Sequence, residues 1–349
     1  MILQKLTEAS VSFPNLFDGE IELNRVAFTV FGFEIHWYAI IIGVGLLLAE
    51  FYCSKRGVKY GLTDDDVFDV AFFGAIFGFI GARAYYCIFY NLNPENSYKF
   101  TLWSAITDIH KGGLAIYGGI IMGVLTAVII CKLRKVSILS MMDMGGTGFL
   151  IGQAIGRWGN FVNIEAFGAP TAGNLPWGMS GTGEEISRVL AEAGEGALVH
   201  PCFLYESLWC GLGILVIHFL LSKIQTFDGE LFLYYVIWYG TGRGFIEGLR
   251  TDSLYLGPIK ISQLIGFASA IFCLILLIYL KIRVKNSESY VRWKDTEVCK
   301  ERMEKYYHTL KVEKEAEKAY KAMKKAKKLE KTEQVAPSIL GDEDNDENK

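Results

Sequence analysis

Seven apolar stretches, at 35–53, 67–90, 112–131, 137–159, 203–221, 230–248 and 261–280, restrict what this chain can fold into more than any single motif does. A hydrocarbon core of about 30 Å needs roughly 20 apolar residues of helix, and each stretch meets or approaches that length. Hydrophobic residues make up 51% of the chain, which describes a polytopic helical membrane protein and not a soluble domain. The expected fold class is therefore all-α, with seven transmembrane helices. The third, fourth and sixth stretches carry the most Gly, Ser, Thr and charge.

Orientation follows from the basic residues of the short connections, because cytoplasmic loops collect Lys and Arg. Lys55, Arg56 and Lys59 follow the first stretch, Lys132, Arg134 and Lys135 the third, Lys223 the fifth, and Lys281, Arg283 and Lys285 the seventh. These connections alternate, so they fall on one side. The N-terminus is expected outside and the C-terminus in the cytoplasm.

Three regions result: an outer-face N-terminal segment at 1–34, a seven-helix transmembrane domain at 35–280, and a charged cytoplasmic tail at 281–349. The transmembrane domain carries an outer cap loop at 160–201, with prolines, many glycines and a helix-like piece at 184–193. The tail reads as solvated helix over about 286–332, followed by a disordered acidic end with Asp342, Glu343, Asp344, Asp346 and Glu347. Its excess of lysine suits contact with anionic headgroups, although a plain soluble extension explains it as well. The seven cysteines show no paired metal spacing and most lie in apolar runs, where free Cys is a small hydrophobe. No removable signal peptide is evident, so the first spanning helix serves as its own targeting signal.

Small residues recur at helical spacing: Gly74 with Gly78, Gly119 with Gly123, and Gly148 with Gly152 and Gly156. Such faces let helix backbones approach closely, and helix packing accounts for them. Polar groups are concentrated elsewhere. The stretch from Gly156 to Gly168, Gly-Arg-Trp-Gly-Asn-Phe-Val-Asn-Ile-Glu-Ala-Phe-Gly, places Arg157, Asn160, Asn163 and Glu165 at the outer membrane edge. The expected topology brings Arg83, Arg243, Glu247 and Arg250 to the same level, with Tyr38, Tyr117, His200, Tyr205, Glu206 and Gln263. Ionisable groups at membrane depth are costly enough to count as functional candidates. Arg243 and Glu247, at i and i+4, can simply neutralise one another; four arginines against few acids leave positive charge for an anionic ligand. The planar, permanently charged guanidinium suits a phosphate, and in an outer leaflet that phosphate belongs to a phospholipid. Asn160 and Asn163 suit ester or glycerol oxygens, or helix capping. Asp143, an acid near the inner start of the fourth stretch, reads as a helix N-terminal charge.

These residues resemble the bacterial prolipoprotein diacylglyceryl transferase family. The Gly156 to Gly168 stretch matches its signature Gly-Arg-x-Gly-Asn-Phe-x-Asn-x-Glu-x-x-Gly at every fixed position. Further matches follow in order: Trp37-Tyr38, Gly81-Ala82-Arg83, the run from Gly112 to Gly119 with Tyr117, His200-Pro201, Leu204-Tyr205-Glu206, and Tyr239-Gly240 with Arg243, Glu247, Arg250 and Asp252. The resemblance covers about 33–280 and excludes the tail.

It implies transfer of the sn-1,2-diacylglyceryl group from phosphatidylglycerol to the lipobox cysteine thiol of prolipoproteins, with release of glycerol 1-phosphate. It also implies a multi-pass protein of the bacterial cytoplasmic (inner) membrane whose active site faces the outer leaflet, with no metal and no cofactor. Its partners would be phosphatidylglycerol, lipobox peptides and the bilayer, and not nucleic acid. Arg157, Arg243, Tyr117, Glu165 and His200 become the catalytic candidates. Arg157, Asn160, Asn163, Arg243, Glu247, Tyr38, Arg83 and Arg250 become the phosphatidylglycerol-binding candidates. The chain departs from many family members in having Tyr117 where they have histidine. A phenol, with a reference pKa of about 10, needs neighbouring cations to act as a base, whereas His200 has the better-matched value. The base is thus Tyr117 or His200.

Two other readings compete. An anion or lipid transporter also needs a charged vestibule, but no polar pathway runs through the inner helix halves and no internal repeat is evident. A membrane scaffold recruiting partners through the tail leaves the outer arginines unexplained.

Overall fold

The computed structural model describes residues 8–94, 96–171, 173–251 and 253–335; Asp252 and the acidic run at 342–347 lie outside the described residues. Two compact units are present, Met1–Lys294 and Asp295–Lys349.

The first unit begins with short antiparallel strands, β1 Glu8–Ser12, β2 Glu20–Asn24, β3 Val26–Val30 and β4 Phe33–His36. Helix α1 Trp37–Gly57 follows directly, then α2 Asp64–Leu92, α3 Leu102–Thr107, α4 Ile116–Arg134 and α5 Ile138–Asn163. The cap contributes β5 Pro170–Thr171, β6 Ser180–Gly181, α6 Glu184–Ala193 and β7 Leu198–Val199. Helices α7 Cys202–Phe219 and α8 Glu230–Leu249 precede the small hairpin of β8 Tyr255–Leu256 and β9 Ile259–Lys260, and α9 Ile261–Lys285 completes the bundle. The second unit contains α10 Glu297–Val335, a solvated helix carrying the Lys321–Glu317 pair at 2.6 Å.

Among the described residues, five helical stretches are long and apolar enough to cross a membrane: Trp37–Tyr60, Asp64–Leu92, Ile116–Arg134, Cys202–Lys223 and Ile261–Lys285. Helices α5 and α8 occupy the fourth and sixth expected stretches, and they are also where Arg157 and Arg243 reside. The all-α expectation is corrected for the N-terminal segment and the cap. Strand β1 pairs with β2 and β6, so the N-terminal hairpin and the cap share one small sheet. The cap has its own apolar core, in which Val11 and Phe13 pack with Ile164, Phe167, Met179, Ile186, Val199 and Phe203.

Helix ends follow local chemistry. Thr63 and Asp66 form a reciprocal capping box that starts α2. Asp143 is indeed an N-terminal charge, but for a neighbouring helix. It lies inside α5 and accepts from the amides of Gly229 (2.8 Å) and Phe232 (3.0 Å) at the start of α8. Helix α1 packs on α5, α2 on α4, and α8 on α9. Where α2 crosses α4, a Cβ on Gly81 would lie 2.7 Å from the Gly118 carbonyl oxygen, so the crossing depends on glycine. The packing role expected for Gly148 holds against the Cys53 sulfur, whereas a Cβ on Gly156 would meet nothing within 4 Å. Gly156 therefore borders open space and not a helix.

Candidate active site

The C-terminal end of α5 organises the site. Ile164 adopts a left-handed conformation (φ 53°), and the backbone N–H of Glu165 returns to the Asn160 carbonyl at 3.0 Å. This reversal folds Glu165 back over the last helical turn. Its Oε1 accepts from the amides of Asn160 (2.8 Å) and Asn163 (3.2 Å), while Asn160 accepts at Oδ1 from Arg157 (3.3 Å). The apolar residues of the same segment, Ile164 and Phe167, are buried in the cap core. The segment is thus a helix cap whose polar side chains form a chain of hydrogen bonds and whose apolar ones anchor it.

Two of its glycines are close-approach positions. The Tyr38 ring at the start of α1 lies against Gly159, 2.6 Å from where a Cβ would be. Gly168 sits at a three-way junction, where a Cβ would fall 2.7 Å from the His200 Cβ, 2.8 Å from the Cys202 sulfur and 2.9 Å from the Leu249 carbonyl oxygen. Its backbone N–H donates to His200 O at 2.8 Å, and Ala169 donates to Leu249 O at 2.6 Å. One loop therefore ties the end of α5 to the start of α7 and the end of α8.

Glu206, 2% exposed and about one turn into α7, is the centre of the charged cluster. One carboxylate oxygen takes the guanidinium of Arg157, and the other takes Arg243 at 3.1 Å. Arg243 also pairs with Glu247 at 2.7 Å, and Arg250 stands 4.0 Å from the same Glu247 oxygen. Tyr239 donates to Glu206 at 3.3 Å. Lys260 donates to the carbonyls of Glu247 (2.9 Å) and Arg250 (2.6 Å), closing the end of α8. Three partly buried arginines thus meet two carboxylates, so the arginines have counter-charges while positive charge still exceeds negative in this cluster, as expected. What they retain is donors: each guanidinium has five N–H groups.

Arg83 belongs to another neighbourhood. It is buried and donates to the carbonyls of Ala105 (2.8 Å), Gly112 (2.6 Å) and Gly113 (3.0 Å), with the Phe100 ring 5.1 Å away. It clasps the connection leading into α4, where Tyr117 occupies the first turn, 54% exposed. Among the described residues no partner for the Tyr117 hydroxyl is found.

His200 lies just before α7, and its Nδ1 is 3.1 Å from the Tyr205 hydroxyl, which accepts from Trp177 at 2.7 Å. Burial lowers the His200 pKa below its usual value, so the ring is neutral at pH 7.

Sequence reasoning placed Glu206 at the level of the arginines and Tyr239 in a family match without assigning either a role, and it passed over Lys260 and Arg25. A carboxylate in an otherwise apolar run was the available signal for Glu206. Arg25, on the turn between β2 and β3, donates to the Asn163 carbonyl at 2.9 Å. It borders a cavity of about 770 Å³ that Glu34, His36, Asn163, Glu165 and Arg188 also line.

Residues 25–279 match the family model described as prolipoprotein diacylglyceryl transferase. The chain is similar to the phosphatidylglycerol–prolipoprotein diacylglyceryl transferase of Finegoldia magna, 40% identical over 266 residues, 76% of this chain and 99% of that one. The protein of that name from Clostridioides difficile is 40% identical over 267 residues (76% and 99%). The one from Bacillus cereus is 38% identical over 278 residues (78% and 97%).

Proposed function

The chain belongs to the prolipoprotein diacylglyceryl transferase family and is a membrane transferase of lipoprotein biosynthesis; we propose that it moves the sn-1,2-diacylglyceryl group of phosphatidylglycerol onto the lipobox cysteine of prolipoproteins. The thiol gives its proton to a base, and the thiolate attacks the glycerol carbon that bears the phosphate ester. A carbon–sulfur bond forms as the carbon–oxygen bond breaks, and the electron pair leaves on glycerol 1-phosphate.

One observation carries this reading. Arg157 and Arg243, from α5 and α8, converge on the single carboxylate of Glu206 and thus stand side by side. Two forks at one place suit a phosphodiester that gains negative charge as its ester bond breaks. Glu206 and Glu247 act as positioning residues that fix the forks while leaving other N–H donors for the lipid. Arg250 adds positive potential beside Glu247. Asn160 and Asn163, oriented by Glu165, contact the glycerol and ester oxygens, and Tyr38 forms the wall against Gly159. The open space at Gly156 supports entry of the lipid between helices. Arg83 serves the site by shaping the connection that presents Tyr117.

The base is one of two groups. His200 has the protonation state of a base at neutral pH, while the exposed Tyr117 hydroxyl suits a hydrogen bond to substrate or, as tyrosinate, proton abstraction. The protein spans the cytoplasmic membrane seven times, N-terminus outside, with the Glu206 cluster toward the outer leaflet. The seven long helices and the basic residues at their opposite ends support this placement.

The test is transfer of labelled diacylglyceryl from phosphatidylglycerol to a lipobox peptide by purified protein in detergent. Wild type, Arg157→Lys, Tyr117→Phe and His200→Ala are compared. Loss with Tyr117→Phe alone puts the phenol in the chemistry, and loss with His200→Ala alone assigns the base to the imidazole. Well-folded but inactive wild type overturns the reading, and substrate accumulation in sealed vesicles would then favour a transporter.

A further inference from the structure

A second cationic concavity lies at the other end of the bundle from Glu206. Arg56 is 18 residues along α1 from Tyr38, about 27 Å at 1.5 Å per residue, which is close to the thickness of a hydrocarbon core. The pocket there holds about 330 Å³ and is lined by Arg56, Lys59, Lys223 and Lys294 together with Tyr60 and His218. No carboxylate is among its lining residues.

Three separate chain segments build it, and each is pinned. Arg56, near the end of α1, donates to the Ser222 hydroxyl at 2.9 Å in the turn after α7. The segment after α9 is held by Trp293, whose indole N–H donates to Gly61 O at 3.3 Å, and by Arg292, which donates to Gln225 O at 3.2 Å. Lys294 thereby lines the same pocket as Lys59 and Lys223.

Basic residues at this end of a bundle have an ordinary explanation in membrane topology and helix C-capping. Capping accounts for Arg56, which also reaches the His218 carbonyl at 3.4 Å. It does not account for the three lysines. Among the described residues, the ammonium groups of Lys59, Lys223 and Lys294 have no ion-pair or hydrogen-bond partner, and all three residues line one concave site. Phe219, 55% exposed, also lines it, and Ile224, next in the chain to Lys223, is 56% exposed.

We propose that this pocket binds the phosphate headgroup of an anionic phospholipid in the leaflet opposite the one that serves the Glu206 cluster. The lysines and Arg56 take the phosphate, while Phe219 and Ile224 flank the acyl chains. The apolar flank is what favours a lipid over a free phosphate. A lipid held there ties the ends of α1 and α7, the helices whose other ends carry Tyr38 and Glu206.

The test uses the full chain in phosphatidylcholine nanodiscs doped with phosphatidic acid, with lipid retention read by native mass spectrometry. Phosphatidic acid is chosen over phosphatidylglycerol, the substrate at the other end. Lys59→Gln with Lys223→Gln is expected to weaken retention by about tenfold or more. Lys55→Gln with Lys132→Gln, which removes two charges from the same end outside the pocket, is expected to change it by less than about twofold. Equal losses in the two pairs, or none in the first, would overturn the pocket. Lys59→Arg with Lys223→Arg keeps the charge and should restore retention even if the glutamine pair folds poorly; failure to do so also overturns it. Millimolar inorganic phosphate should leave the lipid in place, and displacement would assign the site to a free anion instead.

Discussion

Arg243 of α8 donates to one oxygen of Glu206 on α7 at 3.1 Å, and the other oxygen of that carboxylate holds Arg157 of α5. A single acid thus locks three helices together at the level where the charge is needed. Breaking a buried pair by removing one partner costs about 3–5 kcal/mol, because a charge is left uncompensated. Glu206→Ala should therefore lower the unfolding temperature in detergent and abolish transfer. Glu206→Gln should recover much of the stability and little of the activity. A glutamine variant with wild-type transfer rates would remove Glu206 from any role in positioning the arginines.

Arg157→Lys and Arg243→Lys keep the charge but lose the planar fork. Each should reduce transfer by about 100-fold, the scale of losing one transition-state donor, while the helical circular dichroism signal stays intact. The rate with labelled phosphatidylglycerol measures this directly, and a loss confined to KM would mean that the arginines bind ground state and transition state alike.

Arg83 should behave in the opposite way. Its hydrogen bonds end on the carbonyls of Ala105, Gly112 and Gly113, so Arg83→Lys should cost about 1–3 kcal/mol of stability through unsatisfied buried groups. Thermal unfolding in detergent should register it more strongly than Arg157→Lys does. Transfer by the folded fraction should fall less than with Arg157→Lys.

Two signature glycines separate packing from space. Gly168→Ala pushes a methyl toward the His200 Cβ and the Leu249 carbonyl, and overpacking of this kind costs about 1–3 kcal/mol. Limited proteolysis should then open the cap first. Gly156→Ala meets nothing within 4 Å and should fold like wild type, so any fall in transfer would come from crowding the lipid.

Burial depresses the His200 pKa, so the unfolded chain takes up the proton first as pH falls. The stabilisation due to neutral His200 is complete above the unfolded value of about 6.5 and is lost as pH falls through the lower folded value. Unfolding temperature should decline on acidification from about pH 6.5 down through the folded value. His200→Gln, which cannot titrate, should flatten the profile; an unchanged slope would exclude His200 as the responsible group.

Each of the seven apolar stretches coincides with a long helix, and five of those helices are long and apolar enough to cross a membrane, because a hydrocarbon core demands about 20 apolar residues irrespective of neighbours. The cap helix at 184–193 was equally legible from its local pattern. The small sheets were not, since helices α1 to α5 separate β1 from β6 along the chain and only the folded chain brings Ser12 beside Ser180. Among the site candidates, Asn160, Asn163 and Glu165 were readable as a group because one helix end carries them. The joining of Arg157 to Arg243 was not, because it runs through Glu206 on a third helix. Nor did spacing separate Arg83, which spends its donors on backbone carbonyls, from the arginines that meet carboxylates. Local chemistry determined which residues are costly to bury; the tertiary packing of α5, α7 and α8 decided which of them meet, since a partner far along the chain leaves no mark on local periodicity.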